Sequence, residues 1–175
     1  MRALFLDRDG IFNEVVFRNG SIHSPKNWEE IRFFPEMERI SEIKKLGFKL
    51  VMMTNQPDLE RRIISQTFID DLHGKIQKIY GLDAVYCCPF AANDHPMKKP
   101  NPGMFLQAAK DLKLDLPNSF HLGDTDRDVG AAKNAGCKSI LWDRPYNREY
   151  SGDYRIHSFN ELHTLLSGLI SPDKK

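Results

Sequence analysis

Carboxylate, hydroxyl and lysine side chains recur in four short clusters along this sequence, each placed after a short apolar run. These groups suit phosphoryl transfer, because carboxylates bind hard cations, a hydroxyl donates a hydrogen bond, and a lysine offers a point charge to a phosphoryl group. Any one cluster alone is more typical of a turn or a solvated charge run, whereas four in succession favour a site. The clusters are Asp7-Arg8-Asp9-Gly10, Thr54-Asn55-Gln56, Lys98-Lys99-Pro100, and Gly123-Asp124 followed by Asp128.

The acidic residues of these clusters require a counter-charge if they meet in one cleft. Asp7, Asp9 and Asp124, together with Asp128, would repel one another in a partly dry environment. A hard cation would relieve that repulsion, and ligands that are all oxygen favour Mg²⁺ over zinc. The sequence therefore predicts a magnesium site.

Short apolar runs alternate with amphipathic segments along the chain. The runs lack strict alternation and precede polar or turn residues, as buried parallel strands do, and several amphipathic segments end at glycine. This pattern predicts an α/β fold, a doubly wound, Rossmann-like and mostly parallel sheet with helices on both faces. The predicted strands cover residues 3–6, 48–53, 84–88, 120–122 and 139–142, and the predicted helices begin near Pro35, Phe68, Pro102, Val129 and Ser158.

The four polar clusters should meet at one edge of this sheet. Ligands of open α/β sheets bind outside the carboxyl ends of the strands, and each cluster follows a predicted strand. We predict a single domain over residues 1–170, a frayed tail over residues 171–175 and no large cap domain. Selectivity would then depend on three loops, which cover residues 14–31, 57–65 and 89–97.

Composition narrows the class of partner. The 175 residues include 25 basic and 24 acidic side chains, a balance that argues against a basic nucleic-acid face. No apolar stretch is long enough for a transmembrane span, and charges begin too early for a signal peptide. Three cysteines, of which Cys87 and Cys88 are adjacent and Cys137 is distant, favour a reducing compartment. We predict a cytoplasmic protein that binds a small phosphorylated metabolite and neither nucleic acid nor membrane.

The four clusters, in this order, resemble the four motifs of the haloacid dehalogenase superfamily. They are most similar to its heptose-1,7-bisphosphate phosphatase and histidinol-phosphate phosphatase branch, and the likeness extends from residue 3 to residue 166. The resemblance implies a Mg²⁺-dependent phosphomonoester hydrolase that forms an aspartyl-phosphate. The run Lys99-Pro100-Asn101-Pro102-Gly103-Met104 favours D-glycero-D-manno-heptose 1,7-bisphosphate or a related sugar phosphate as substrate. Histidinol phosphate and a polynucleotide 3′-phosphate are the alternatives.

The resemblance also implies a role for each matching residue. Asp7 would be the nucleophile, and Asp9 would protonate the leaving oxygen and then activate water. Thr54 would hydrogen-bond the transferring phosphoryl group, and Lys99 would neutralise its charge. The implied Mg²⁺ ligands are Asp7, Asp9 through its backbone carbonyl, and Asp124, with Asp128 in support, and the predicted substrate contacts are Arg8, Asn55, Gln56 and Lys98.

The loop before the motif lysine departs from the branch, whose members usually clamp it with zinc. Structural zinc needs four cysteine or histidine ligands, and here only Cys88 and His95 stand at matching positions. Cys87 is a candidate third ligand, although a strand cysteine more often packs as a small hydrophobe. We therefore predict no structural zinc, with Phe90 burying its ring where the metal would lie.

Two other classes are weaker fits. A signalling receiver domain also sets acids, a hydroxyl and a lysine on an α/β sheet, but its phosphorylated aspartate follows the third strand. Here the third predicted strand leads into Cys88-Pro89. A catalytically inactive binding protein is disfavoured because every motif position is filled.

Overall fold

The sheet is parallel throughout. The computed structural model describes residues 1–170, so the tail predicted over residues 171–175 lies outside the described part. The strands are β1 (Arg2–Leu6), β2 (Val16–Arg18), β3 (Ser21–His23), β4 (Phe48–Asn55), β5 (Ala84–Cys88), β6 (Phe120–Gly123), β7 (Lys138–Trp142) and β8 (Tyr154–Ile156). Six of these form one sheet in the order β5-β4-β1-β6-β7-β8, and each neighbouring pair is parallel. The predicted α/β fold is confirmed.

Helices cover both faces of the sheet. They are α1 (Gln66–Tyr80), α2 (Gly103–Leu112), α3 (Asp126–Ala135) and α4 (Phe159–Ile170), with 3₁₀ segments at Trp28–Glu30, Pro35–Leu46 and Leu116–Asn118. Successive residues of β1 point to opposite faces. Leu4 and Leu6 join a core with α1, α4 and the Pro35–Leu46 segment, while Ala3 and Phe5 join a second core with α2 and α3. The two cores fix the sheet between its helices.

Short segments occupy the connections where a cap domain could be inserted. Between β1 and β4 the chain forms the antiparallel β2–β3 hairpin and two 3₁₀ segments, and between β4 and β5 it forms α1. Neither connection, both within residues 1–170, holds a large cap domain. None of the helices in the described residues has the length and apolar character that crossing a bilayer requires.

Two parts of the fold differ from the prediction. Three strands within residues 1–170 lie outside the predicted set: β2 and β3, which pair as a hairpin within the predicted loop at residues 14–31, and β8, a three-residue strand that pairs with β7 at the edge of the sheet. The segment that begins at Pro35 is a 3₁₀ helix, which ends at Gly47 in the left-handed region with φ of 83°. The other predicted helices and all five predicted strands are present.

Candidate active site

The candidate site lies at the carboxyl-end edge of the three central strands. Asp7 follows β1, Thr54 is the penultimate residue of β4, and Asp124 follows β6. β1 is paired with both β4 and β6, and the Asp7 amide donates to the carbonyl of Leu122 at 3.0 Å, which extends the ladder by one residue. The register of the sheet therefore brings these three side chains to one place.

Lys99 reaches this place from the loop after β5. The Asn55 side chain holds the Lys99 backbone through two hydrogen bonds. Its Oδ1 accepts from the Lys99 amide at 3.0 Å, and its Nδ2 donates to the Lys99 carbonyl at 2.9 Å. The Lys99 ammonium is almost fully buried and lies 2.8 Å from Asp7 Oδ1 and 2.6 Å from Asp128 Oδ1. Burial lowers the pKa of Lys99, but the two carboxylates outweigh it, and the net shift is upward.

Asp128 lies in the first turn of α3, and both of its carboxylate oxygens are engaged by neighbouring groups. Its Oδ2 accepts from the Thr125 amide and hydroxyl at 3.0 and 2.6 Å, and from the Asp124 amide at 3.3 Å. Its Oδ1 contacts Lys99 and also His121 Nε2, at 3.1 Å. Burial raises the pKa of Asp128, but Lys99 and His121 bring it below its usual range. A carboxylate with both oxygens engaged suits the predicted supporting role.

The carboxylates are arranged so that a divalent cation would fit among them. Ligand oxygens of Asp7, Asp124 and Asp128 all lie within 4.8 Å of one another. Asp124 Oδ1 is buried, and among residues 1–170 it has no hydrogen-bond partner. Burial and the charge of Asp128 raise the pKa of Asp7 to about 7 and that of Asp124 well above its usual range. Crowded negative charge, an unpartnered oxygen and an all-oxygen donor set fit Mg²⁺.

Asp9 is held by hydrogen bonds at both carboxylate oxygens. The Arg8 guanidinium donates to both, with three contacts at 3.0 Å. Three further donors are Asn13 Nδ2 at 2.9 Å, Ser24 Oγ at 2.7 Å and Gln56 Nε2 at 3.0 Å. Burial raises the pKa of Asp9, but Arg8 and the other donors bring it below its usual range. The carboxylate is therefore ionised in this arrangement.

Three of the predicted substrate contacts are turned into the protein. Arg8 is fully buried, and its guanidinium bonds Asp9 and His73 Nε2, the latter at 3.2 Å. Burial and Arg8 lower the pKa of His73 to about 3, so the ring is neutral and accepts this bond. Gln56 is fully buried and donates to Thr54 Oγ1 at 2.8 Å. These placements argue against direct substrate contact by Arg8 and Gln56.

Lys98, the third of these predicted substrate contacts, is also buried, whereas the fourth, Asn55, lines the cavity beside Asp7. The Lys98 ammonium donates to the Ala91 carbonyl at 2.5 Å and to Asn93 Oδ1 at 2.9 Å. Its partners belong to the loop of residues 89–97, which it braces. Of the four predicted substrate contacts, Asn55 is the one placed to meet a ligand.

A cavity of about 330 Å³ opens above Asp7. Of the three loops predicted to frame the substrate, only the one at residues 14–31 lines it. The loops at residues 57–65 and 89–97 contribute instead to a neighbouring groove, which contains Leu59, Ile63 and Phe90. The cavity is lined by Val15 and residues 21–24 of the hairpin segment, by Asp126 and Arg127, and by Tyr150. Tyr150 belongs to the connection between β7 and β8, which the sequence analysis did not assign to the site.

The loop at residues 89–97 is held by packing and hydrogen bonds among its own residues and Lys98. The rings of Phe90 and His95 stack with centroids 3.8 Å apart, and His95 Nδ1 accepts from the Met97 amide at 3.2 Å. Phe90 is 36% exposed, so the expectation that it buries its ring is wrong. Cys88 is buried and Cys87 is partly buried, both with free thiols. The absence of a structural zinc stays a prediction.

Strand-end carboxylates and a buried lysine at the edge of a parallel sheet are the arrangement expected of an enzyme that acts on phosphoryl groups. Residues 13–136 match the haloacid dehalogenase-like hydrolase family. The chain belongs to this family, and it is a phosphatase.

Curated relatives and solved structures agree with this family. The chain is 34% identical to the D-glycero-beta-D-manno-heptose-1,7-bisphosphate 7-phosphatase of Mesorhizobium japonicum, over 77% of this chain and 65% of the relative. It is 30% identical to the enzyme of that name from Pasteurella multocida, over 97% and 99%. The fold is similar to that of the D,D-heptose 1,7-bisphosphate phosphatase of B. bronchiseptica, with a TM-score of 0.77 and 24% identity over 97% of this chain and 96% of that one.

Proposed function

We propose that this phosphatase hydrolyses a small sugar phosphate through a phosphorylated Asp7, with Mg²⁺ as cofactor. One observation carries the proposal. In a single cavity, Asp7 is paired with Lys99 at 2.8 Å and lies within reach of Asp124, whose Oδ1 is buried and has no hydrogen-bond partner in the described part of the chain. Phosphoryl transfer needs a nucleophile, a fixed positive charge and an oxygen ligand for a cation, and Asp7, Lys99 and Asp124 Oδ1 offer these three groups.

The first half of the reaction transfers the phosphoryl group to the protein. An Asp7 carboxylate oxygen attacks phosphorus, and the bond between phosphorus and the leaving oxygen breaks. Asp9, which is ionised before substrate binds, takes up a proton from solvent as the substrate binds and gives it to the leaving oxygen. The hydrogen bonds to Asp7 fall on Oδ1, from the Arg8 amide at 2.7 Å and from Lys99. Lys99 neutralises charge on the transferring group.

The second half returns the protein to its first state. Asp9, now ionised, takes a proton from a water molecule, whose oxygen attacks the phosphorus of the aspartyl-phosphate. The bond between phosphorus and the Asp7 oxygen breaks, phosphate leaves, and Asp9 releases its proton to solvent. The Arg8 contacts favour an ionised Asp9, which suits this step. Mg²⁺ held by Asp7, Asp124 and the Asp9 carbonyl would supply further charge neutralisation.

The names of the relatives support a heptose 1,7-bisphosphate or a related sugar phosphate as the substrate. The B. bronchiseptica enzyme, which shares the fold, was crystallised with magnesium and phosphate. The free thiols of Cys87, Cys88 and Cys137 support a reducing, cytoplasmic location. We also propose that residues 1–170 fold as one domain.

A substrate panel and a trapped intermediate test the proposal. Metal-stripped protein is assayed with heptose 1,7-bisphosphate, histidinol phosphate and a 3′-phosphorylated oligonucleotide, before and after Mg²⁺ is added. We expect phosphate release with Mg²⁺ only and the highest kcat/KM for the heptose. Asp9→Asn should turn over roughly 10²–10⁴ times more slowly. Its peptide containing Asp7 should carry one phosphoryl group by mass spectrometry after an acid quench.

Two results would contradict this reaction. Full turnover in the presence of EDTA would exclude the metal site. Wild-type turnover by Asp7→Asn would exclude the covalent intermediate. Asp71→Asn, which removes an exposed carboxylate from α1, is the matched control and should retain full activity.

A further inference from the structure

The connection between β7 and β8 contacts the candidate site at three points. Arg144 Nε donates to the Gly10 carbonyl at 2.9 Å. The Tyr146 hydroxyl donates to Asp124 Oδ2 at 2.5 Å, and Asn147 Nδ2 donates to the Asp124 backbone carbonyl at 2.8 Å. Residues 144–147 therefore hold Asp124 by its backbone and by its side chain, from a segment that carries no motif.

The Tyr146 bond distinguishes the two oxygens of Asp124. A carboxylate can rotate about its last side-chain bond, and a donor at one oxygen removes that freedom. Because Tyr146 engages Oδ2, the atom left without a partner among the described residues is Oδ1. The bond thus fixes which oxygen is offered as a ligand before any cation arrives. Groups that orient ligands in this way typically change metal affinity when they are removed.

We propose that Tyr146 is a positioning residue for the divalent cation, holding the Asp124 carboxylate so that Oδ1 is presented to it. The inference rests on the cation site of the proposed function and adds a residue to it.

The Tyr146 ring is in turn supported by the hairpin. Phe17 of β2 packs edge-on against it, with ring centroids 5.8 Å apart and planes at 68°. The Phe17 side chain is otherwise largely exposed, at 63%. At the end of the hairpin segment Ser24 donates to Asp9 at 2.7 Å. The hairpin therefore contacts the site twice, directly at Asp9 and through Tyr146 at Asp124. Cation affinity should depend on this packing, because the position of the Tyr146 ring determines the direction of its hydroxyl.

Direct binding of Mn²⁺ tests the proposal without substrate. Metal-stripped full-length protein is titrated with Mn²⁺ and free ion is followed by electron paramagnetic resonance. Tyr146→Phe should bind Mn²⁺ about tenfold more weakly than the parent. Phe17→Ala, which removes the supporting ring, should bind it roughly two- to fivefold more weakly. Tyr86→Phe is the matched control, because it also removes a tyrosine hydroxyl that donates to an aspartate, Asp111 at 2.8 Å, but outside the cavity, and its Mn²⁺ affinity should equal that of the parent.

The outcomes separate this inference from the proposed function. If the parent binds no Mn²⁺, the cation site itself is overturned. If the parent binds Mn²⁺ and Tyr146→Phe binds it equally well or more tightly, the positioning role is overturned and the cation site stands. Thermal unfolding without metal shows whether Tyr146→Phe is folded. If it is not, Phe17→Ala decides, because its side chain is exposed, and unchanged affinity in that variant overturns the proposal.

Discussion

The Lys99 ammonium lies 2.8 Å from Oδ1 of Asp7, in a position where almost none of the lysine is exposed to solvent. The same ammonium lies 2.6 Å from Asp128 Oδ1. Lys99 thus separates two carboxylates that would otherwise face each other in a dry environment. Its contact with Asp128 fixes the ammonium in place, and its contact with Asp7 puts positive charge where a phosphoryl group would arrive.

Replacing Lys99 by methionine should lower kcat by about 10²–10³, because a preorganised charge at the reacting centre is lost. Lys98→Met is the matched control. It removes a neighbouring buried lysine whose ammonium bonds Ala91 and Asn93 and makes no ion pair with Asp7. Steady-state assays with Mg²⁺ measure both variants. A Lys99→Met enzyme as active as Lys98→Met would contradict the role of Lys99.

Asp7→Asn should stabilise the metal-free protein at alkaline pH. The pKa of Asp7 is about 7 in the fold, against roughly 3.9 for an unfolded aspartate. Between these values the folded protein binds a proton that the unfolded chain releases, so the stability of the parent falls as pH rises through this window. Asparagine has no proton to lose. The variant should therefore exceed the parent by on the order of 1–3 kcal/mol at pH 8 and by little at pH 4.

Urea unfolding in EDTA at both pH values measures that difference. Asp71→Asn, at an exposed position on α1, should show no comparable change between pH 4 and pH 8. Added Mg²⁺ should stabilise the parent more than Asp7→Asn, since the cation is proposed to bind this carboxylate. A variant no more stable than the parent at pH 8 would mean that burial and neighbouring charge do not raise the pKa of Asp7.

Arg8→Met should destabilise the protein by about 3–5 kcal/mol, because it leaves a buried carboxylate without its ion partner. Arg8 contacts both oxygens of Asp9 at 3.0 Å and has no exposed surface. Arg61→Met removes a surface ion pair with Asp58, in which the arginine is 53% exposed, and should cost less than about 1 kcal/mol. Urea unfolding of the two variants makes the comparison. Equal effects would indicate that the Arg8 pair adds nothing beyond a surface contact.

The sequence predicted the parts of this fold and site that follow strict patterns. Buried parallel strands form continuous apolar runs, and the sheet fixes the polar residues at their carboxyl ends, so Asp7, Thr54 and Asp124 were predicted to lie together. Lys99, in the loop after β5, is held beside them by the Asn55 side chain. Strand β8 was missed because it has three residues with Arg155 at its centre, too short and polar for such a run.

Side-chain direction in loops was harder to predict. Arg8 stands between Asp7 and Asp9 in the sequence, and we predicted that its guanidinium contacts the substrate. Its guanidinium instead bonds both carboxylate oxygens of the adjacent Asp9 at 3.0 Å, and an arginine placed between two acids is a signal that such internal pairing competes with substrate contact. Tyr146 gave no signal. Its hydroxyl meets Asp124 across 22 positions of sequence, through a turn that has no periodic pattern.

Two glycines of the same backbone conformation give the last prediction. Gly10 has φ of +82° and Gly20 has φ of +76°, both in the left-handed region. A Cβ on Gly20 would meet nothing within 4 Å, whereas a Cβ on Gly10 would lie 2.1 Å from Asp124 Oδ2. Alanine at either position bears the conformational cost, about 1–2 kcal/mol. Only Gly10→Ala must also displace the carboxylate that the Tyr146 hydroxyl holds.

We therefore expect Gly20→Ala to lose that amount of stability and keep its Mn²⁺ affinity, and Gly10→Ala to lose more stability and most of its Mn²⁺ affinity. Urea unfolding and Mn²⁺ titration of both variants provide the test, and similar affinities would show that the close approach of Gly10 is not needed to place Asp124.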